Sequence, residues 1–125
     1  MLKISEIAFV GYPTQNIEKA RAFYEGVLGL TPTMADEIEP GQWWVEYDIG
    51  AGTLALSTMW EASGQSGPTI ALEVPSMDEA VTHLAGHGVM FEFGPIETPV
   101  CFLGSIRDPD GNTLTIHQRK PGHPA

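Results

Sequence analysis

The last β-rich stretch of the chain contains a histidine whose position suits ligand contact or proton transfer. His117 lies two residues after Thr115, so strand periodicity predicts that both side chains point to the same face of a sheet. Because an imidazole titrates near neutral pH, His117 is a candidate general base or polar anchor for a ligand. The alternative interpretation is a partly buried strand histidine that makes only a structural hydrogen bond.

Aromatic and acidic side chains alternate in the segment that runs from Trp43 to Asp48. A tryptophan ring can stack on a flat ligand, and a carboxylate such as that of Glu46 can exchange a proton with a bound molecule. Because neighbouring residues of a strand point to opposite faces, only one of Trp43 and Trp44 can face a binding site. The alternative is that both tryptophans pack a core or a dimer contact.

The other histidines and the single cysteine favour structural interpretations. His83 and His87 are four residues apart and share a helical face, but residues 84–86 supply no third zinc ligand. His123 lies in a tail rich in proline and glycine. Cys101 cannot form an internal disulfide, and its apolar neighbours favour a buried structural cysteine over a nucleophile. A single cysteine also excludes a cysteine-rich zinc site and is typical of a cytoplasmic protein.

The acidic composition argues against several classes of partner. Six basic and sixteen acidic residues among 125 give a formal net charge of −10 and an isoelectric point near 4.6. Such a surface repels phosphate backbones and anionic lipids, so neither nucleic acid nor a membrane is expected as a partner. No apolar run approaches the ~20 residues of a membrane span, and the first residues lack the apolar core of a signal peptide.

The chain repeats itself with a period of about 60 residues, which fixes the expected architecture. Residues 17–20 align with residues 77–80, and residues 53–56 align with residues 113–116. The repeat predicts one domain over residues 1–125, with module one at 4–60, a surface linker at 61–68, module two at 69–118 and a tail at 119–125. The fold class is then α+β, with helices on one face of a mainly antiparallel sheet.

Each module is predicted to contain a strand, a helix and further strands. Asn16 and Ser76 can cap the two helices, which end near Gly29 and Gly88. Strands are predicted over residues 4–10, 43–49, 53–59, 69–74, 89–93, 100–106 and 113–118. A break in the first strand is expected at residues 11–13, where glycine and proline occur.

Two arguments disagree on the strand that carries the tryptophans. Periodicity puts Trp43 and Val45 on the helix side, which leaves Trp44 and Glu46 on the open side. The 60-residue repeat instead aligns Val45 with Ser105, a residue expected on the open side. One inserted residue in a turn would flip this register. We favour Trp44 and Glu46, and we expect Trp60 to cover the rim of the site or to pack on the linker.

Two motifs resemble those of the vicinal oxygen chelate superfamily, which includes glyoxalase I, the bleomycin and fosfomycin resistance proteins and the extradiol dioxygenases. Residues 16–30, with Phe23-Tyr24-Glu25-Gly26-Val27-Leu28-Gly29-Leu30, resemble its first helix. Asp108-Pro109-Asp110-Gly111-Asn112 resembles the hairpin turn before its last strand. The resemblance covers nearly the whole chain and implies two βαβββ modules that form a cup around a ligand, commonly in a homodimer.

The resemblance also implies where a metal would be held. Metal enzymes of the superfamily use four strand residues, typically His, Gln or Glu, and the matching positions here are Phe9, Ala55, Thr69 and Thr115. Phenylalanine and alanine cannot coordinate a metal, and a threonine hydroxyl is a weak ligand. We therefore expect no metal and no other cofactor, and we do not expect metal-dependent glyoxalase or dioxygenase activity.

The predicted site combines these positions with the polar and aromatic candidates. Ser105 joins them because fosfomycin-resistance-like proteins place a ligand contact there. The full ligand-binding set is Phe9, Trp44, Glu46, Ala55, Thr69, Ser105, Thr115 and His117.

Three functions are compatible with this set. The first hypothesis is a metal-free cup that binds a small, flat or aromatic molecule, as in the bleomycin-resistance branch. The alternative is a superfamily enzyme, such as a lyase, isomerase or dioxygenase-like protein, that uses His117 and Glu46 as an acid–base pair. A third is an interaction domain whose cup has lost its ligand.

Overall fold

The computed structural model describes residue 3 and residues 7–62 and 69–122. The chain forms two compact units, residues 1–63 and residues 64–125. The first unit, module one, contains β1 (Val10–Pro13), α1 (Ile17–Arg21) continued by a π-helix (Ala22–Val27), β2 (Met34–Glu39), β3 (Gln42–Ile49) and β4 (Gly52–Ser57). The second, module two, contains β5 (Ile70–Glu73), α2 (Met77–Gly86), β6 (Phe93–Glu97), β7 (Cys101–Arg107) and β8 (Thr113–Arg119).

Each module has one four-stranded mixed sheet with the same strand order. The order is β1-β4-β3-β2 in module one and β5-β8-β7-β6 in module two. In both sheets the first strand runs parallel to the last strand of its module, and the other neighbours are antiparallel. This arrangement confirms the predicted α+β class with two βαβββ modules.

The 60-residue period is reproduced in the parallel strand pairs. Val10 lies beside Leu54 in module one, and Ile70 lies beside Leu114 in module two. Both members of the pair are therefore displaced by the same 60 positions. Glu46 lies opposite Ala55, whereas Ser105 lies opposite Thr115, so the middle strands are displaced by 59.

The first helix begins where its cap was predicted but changes form after five residues. Asn16 accepts a hydrogen bond from the Lys19 amide at 3.1 Å, as an N-cap does. From Ala22 onward the turns widen to a π-helix, in which the Leu28 amide donates to the Phe23 carbonyl at 3.0 Å. Gly29, with φ of 77°, then ends the helix.

The second helix is an ordinary α-helix with the predicted ends. Ser76 Oγ accepts a hydrogen bond from the Glu79 amide at 3.2 Å and caps the first turn. The helix ends at Gly86, and Gly88 turns the chain with φ of 76°. No helix in the described ranges is long and apolar enough to cross a membrane.

Some predicted strand boundaries are wrong. Residues 11–13 were expected to break the first strand, but they pair with β4 as part of β1. Pro13 is tolerated because β1 is an edge strand of its sheet, where an amide hydrogen is dispensable. The strand expected over residues 89–93 begins only at Phe93. Strand β2 was not predicted, because its six residues are all exposed and show no apolar alternation.

Part of the predicted organisation lies outside the described residues. This applies to residues 4–6 of the first predicted strand, residues 63–68 of the predicted linker, and His123 with the two residues after it.

The core of module one is built on two tyrosines. Tyr24 from the π-helix stacks on Tyr47 of β3, with ring centroids 6.0 Å apart, and both residues are fully buried. Val45, Leu54 and Leu56 are fully buried as well. The helix therefore covers the sheet face that carries Val45 and Tyr47.

The core of module two contains no aromatic pair of this kind among the described residues. Its buried side chains are mainly aliphatic: Met77, Leu84, Cys101, Ile106, Leu114 and Ile116. The Asp-Pro-Asp-Gly-Asn motif forms the predicted structural turn. The Asp108 carboxylate accepts hydrogen bonds from the amides of Asp110 and Asn112 and from the Asn112 side chain, at 2.7 to 2.9 Å.

Candidate functional site

The register of β3 settles which tryptophan lies on the sheet face opposite the helix. We call this face of module one its open face. Glu46 lies opposite Ala55, and Trp44 shares its face by strand periodicity. The neighbours Val45 and Tyr47 are fully buried on the helix side, the side that Trp43 shares by periodicity. The structure thus agrees with the periodicity argument.

Three rings form an aromatic cluster on the open face: Phe9, Trp44 and Trp60. Phe9 and Trp60 are nearly parallel, with centroids 6.4 Å apart and planes 20° apart. Trp44 meets both edge-on, at 5.3 Å from Phe9 and 5.1 Å from Trp60. Phe9 is 42% exposed and Trp60 is 36% exposed, so the cluster presents ring surface to solvent. The cluster offers faces and edges on which another ring can stack.

A glycine on β1 makes room for one ring of the aromatic cluster. A Cβ atom at Gly11 would overlap Cη2 of Trp60, far inside van der Waals contact. The indole therefore lies directly against the β1 backbone. The position 60 residues later in module two is Ala71, where a side chain is accommodated. Ala55, which lies beside Gly11 on β4, is fully buried.

Carboxylates accompany the aromatic cluster. The Trp44 indole Nε1 donates a hydrogen bond to Glu46 Oε2 at 2.7 Å. Asp36 lies opposite Trp44 on β2, and Asp48 shares the same face of β3 by periodicity. Strand periodicity places no lysine or arginine of β1 to β4 on this open face. The local potential therefore favours neutral or cationic molecules over anions.

The corresponding face of the module two sheet, which we call the open face of module two, carries side chains of different chemistry. The hydroxyl oxygens of Thr69 and Thr115 are hydrogen-bonded to each other at 3.2 Å. The Thr69 hydroxyl also donates to the Thr113 carbonyl at 3.1 Å. Ser105 lies opposite Thr115 on β7. The predicted residues Thr69, Ser105, Thr115 and His117 therefore share one face of one sheet.

His117 is paired with a residue that sequence reasoning missed. Its Nδ1 lies 2.6 Å from Glu73 Oε1, and the second carboxylate oxygen, Oε2, accepts a hydrogen bond from the Arg119 amide at 2.7 Å. Partial burial tends to raise the pKa of Glu73, but the Arg119 amide and His117 outweigh it and hold that pKa below its ordinary value. The parallel register supplied the missing signal, because Glu73 and His117 are direct neighbours on β5 and β8.

Glu46 and His117, the predicted acid–base pair, are therefore each hydrogen-bonded to another residue of their own module. Glu46 accepts from Trp44 in module one, and His117 meets Glu73 in module two.

The four positions at which the superfamily holds its metal do not fit a divalent ion here. Phe9 and Ala55 have no donor atom, and the hydroxyls of Thr69 and Thr115 are joined to each other. Within residues 7–62 and 69–122, no group of three or more His, Cys, Asp or Glu side chains could hold a metal. His83 on α2 and His87, the residue after its last turn, have ring centroids 4.8 Å apart, and no third ligand joins them among the described residues.

The cysteine is buried, as its apolar neighbours predicted. Cys101 is 5% exposed, and its sulfur lies 3.2 Å from Thr98 Oγ1. Burial of this kind leaves the thiol poorly accessible to a substrate.

Comparison with known proteins identifies the family. The sequence profile of the Glyoxalase/Bleomycin resistance protein/Dioxygenase superfamily matches residues 6–116, so the chain belongs to this superfamily. No curated protein matches the chain at a significant level.

Solved structures show the same fold. TnmS3, an antibiotic binding protein from Streptomyces sp. CB03234, is 25% identical with a TM-score of 0.78, and the match covers 96% of this chain and all of that one. A glyoxalase/bleomycin resistance protein from the same organism is 24% identical, with a TM-score of 0.74 and coverage of 90% and 100%. A lactoylglutathione lyase from Agrobacterium tumefaciens is 23% identical, with a TM-score of 0.73 and coverage of 93% and 95%.

Proposed function

We propose that this protein binds a small, flat or aromatic molecule on the open face of module one, without a metal. The observation that carries the proposal is the solvent-facing aromatic cluster of Phe9, Trp44 and Trp60. The similarity to TnmS3, an antibiotic binding protein, supports a small-molecule ligand. The ligand is held by stacking and is released unchanged.

The expected ligand is neutral or cationic. Each ring pair contributes about 1 kcal/mol beyond the burial of apolar area. A positive charge over an indole face adds a cation–π attraction of roughly 0.5–2 kcal/mol. The carboxylates of Asp36, Glu46 and Asp48 favour the same sign of charge. A phosphorylated ligand meets repulsion from all of these groups.

Tryptophan emission tests this proposal directly. Acridinium, anthracene-9-methanol and an anthracene phosphate are titrated against the full chain while Trp fluorescence is followed. We expect the first two to bind better than the phosphate. Trp44→Ala should weaken the better probe by ~1–3 kcal/mol. Trp43→Ala is the matched control, because Trp43 lies on the helix side of the same strand, and it should leave affinity unchanged. Preferred binding of the phosphate, or a larger effect at Trp43, contradicts the proposal.

Metal independence has its own measurement. Elemental analysis of the purified protein should find no stoichiometric zinc, nickel, manganese or iron, because the four family positions lack strong ligands. One ion per chain that survives dialysis, and whose removal abolishes probe binding, would overturn this part of the proposal.

The protein is proposed to act in the cytoplasm as a homodimer with a cup-shaped site, in keeping with the superfamily resemblance. Light scattering at micromolar concentration should give twice the chain mass of 13.5 kDa. A mass of one chain under these conditions counts against the dimer and leaves the binding proposal to be judged by fluorescence.

A further inference from the structure

The geometry points to a polar ligand contact on module two, where His117, held by Glu73, accepts a hydrogen bond from the hydroxyl group of a phenol or enol. This contact lies in the other module from the aromatic cluster and takes a hydroxyl group rather than a ring face. Its test is therefore read separately from the test of the proposed function.

Glu73 fixes the direction in which the imidazole can accept. A carboxylate can only accept hydrogen bonds when it is ionised, so the Nδ1 atom 2.6 Å from Glu73 Oε1 must carry a proton. In the neutral ring, the other nitrogen, Nε2, is then an unprotonated acceptor. The second oxygen of Glu73 is held by the Arg119 amide at 2.7 Å, so the carboxylate itself is fixed at both oxygens. Glu73 is thus a positioning residue for His117.

The repeat provides an internal control for the structural importance of this pair. Sixty residues earlier, the positions of Glu73 and His117 are occupied by Pro13 and Ser57. Pro13 and Ser57 occupy the same register on β1 and β4, and Ser57 is fully buried. Module one therefore builds the same strand pair without an acid or an imidazole at this place. The fold does not require the pair, which favours a role in contact with a ligand.

The surroundings of His117 select a neutral hydroxyl donor. Leu103 lies opposite His117 on β7 and offers an apolar surface to a ring. The charged groups on this face by periodicity are Glu73, Arg107 and Arg119, and Arg107 is ion-paired with Glu92. Arg119 disfavours an ammonium group, and Glu73 disfavours an anion. The side chains of His117 and Glu73 are 18% and 40% exposed, so a solute can reach them.

Two matched probes test the hydroxyl contact. Phenol and anisole have the same ring, but only phenol can donate a hydrogen bond. We expect the full chain to bind phenol about fivefold more tightly than anisole at mildly alkaline pH, where phenol keeps its proton and an imidazole is neutral, as one net hydrogen bond implies. Equal affinity for the two probes overturns the proposal.

Variants separate the acceptor from its positioning residue. His117→Phe removes the acceptor and should abolish the preference for the phenol. Glu73→Gln should also abolish it, because an amide can donate to Nδ1 and so place the ring proton on Nε2. Glu73→Asp should restore part of the preference, and His83→Gln, a change on α2, should leave it intact. A preference that survives in Glu73→Gln contradicts the proposal.

The ring proton provides a measurement that needs no ligand and no variant. Nitrogen-15 NMR of the wild-type chain should show that neutral His117 carries its proton on Nδ1. A proton on Nε2 contradicts the inference, and this result holds even if the His117→Phe variant does not fold. Neither result alters the test of the aromatic cluster, which is read from tryptophan emission and Trp44→Ala.

Discussion

Modules one and two share a strand order and a parallel-pair register, yet their open faces carry opposite kinds of side chain. The open face of module one has an aromatic cluster with carboxylates around it. That of module two has hydroxyl groups, an imidazole–carboxylate pair and two arginines. The backbone repeat therefore determines where side chains point, while the chemistry at each position is free to differ between the copies.

The helix-facing sides of the two sheets differ as well. In module one, the Tyr47 hydroxyl donates to Glu25 at 2.9 Å, and Arg21 donates to the same carboxylate at 2.7 Å. The equivalent of Glu25 in module two is Ala85, and that of Tyr47 is Ile106. Module two has instead a groove of about 810 Å³, lined by Pro75, Ser76, Met77, Asp78, Val81, Thr82, Pro95, Ile96, Glu97, Phe102 and Gln118.

The largest expected effect tests the aromatic core that, among the described residues, is present in module one and not in module two. Tyr24→Ala should lower the free energy of unfolding by about 3–5 kcal/mol, because it leaves a cavity between Phe23 and Tyr47. Leu84→Ala, at the position 60 residues later, is the matched change and should cost about 2–3 kcal/mol. Urea denaturation followed by circular dichroism measures both. A larger loss for Leu84→Ala would mean that module two depends more on its helix.

Gly11 tests the aromatic cluster without removing a ring. Gly11→Ala should lower the free energy of unfolding by about 1–3 kcal/mol, because the new methyl group overlaps the Trp60 ring. Trp60 must move, so tryptophan emission should change in the folded protein. The reverse change, Ala71→Gly, is the control in module two and should cost only about 0.5–1 kcal/mol with no change in emission. An unchanged emission spectrum in Gly11→Ala would show that Trp60 does not lie on β1.

A smaller effect is expected from the buried phenol. Tyr47→Phe removes the hydrogen bond to Glu25 and should lower the free energy of unfolding by about 1 kcal/mol. Burial and the neighbouring Glu25 carboxylate both raise the pKa of Tyr47. Because the pKa of Tyr47 is higher in the folded state, the protonated phenol stabilises the fold fully at pH values below the unfolded-state pKa of 10.0. Wild-type stability should therefore fall as the pH rises above 10.0. If Tyr47→Phe loses stability equally steeply above that pH, another group controls the alkaline limb.

The smallest expected effect is the acid dependence of the same cluster. Burial tends to raise the pKa of Glu25, but Arg21 and Tyr47 outweigh it and hold that pKa below its ordinary value of 4.5. Because the pKa of Glu25 is lower in the folded state, its carboxylate stabilises the fold above pH 4.5. That stabilisation is lost as the pH falls through the folded-state pKa. The stability difference between wild type and Glu25→Gln should therefore shrink on acidification. A difference that stays constant with pH would show that Glu25 acts through packing alone.

The repeat and the local signals were sufficient to predict the α+β class, whereas pairings between distant strands were needed for the site. Capping residues, helical spacing and the repeat identified both helices and most strands. The alternation of apolar side chains also gave the correct face for Trp44. The alignment of Val45 with Ser105 was wrong because Asp108 and Asn112 close a turn of three residues, while Ile49 and Gly52 close one of two.

Two features carried no local signal. Strand β2 is exposed along its whole length, so its sequence lacks the alternation that marks a half-buried strand. Glu73 is 44 residues from His117, and only the parallel register of β5 and β8 brings them together.

The outer strands β2 and β6 also affect the tendency of the protein to aggregate. Each is the last strand of its sheet, and each has an irregular register against its neighbour. Asp36, Glu37 and Glu39 place negative charge along β2, and Pro95 removes an amide donor from β6. Bulges, like charges and proline all discourage a further strand from pairing with an exposed edge. These edges therefore oppose fibrillar aggregation, even though the chain exposes large apolar side chains such as Ile38 and Phe93 on the same strands.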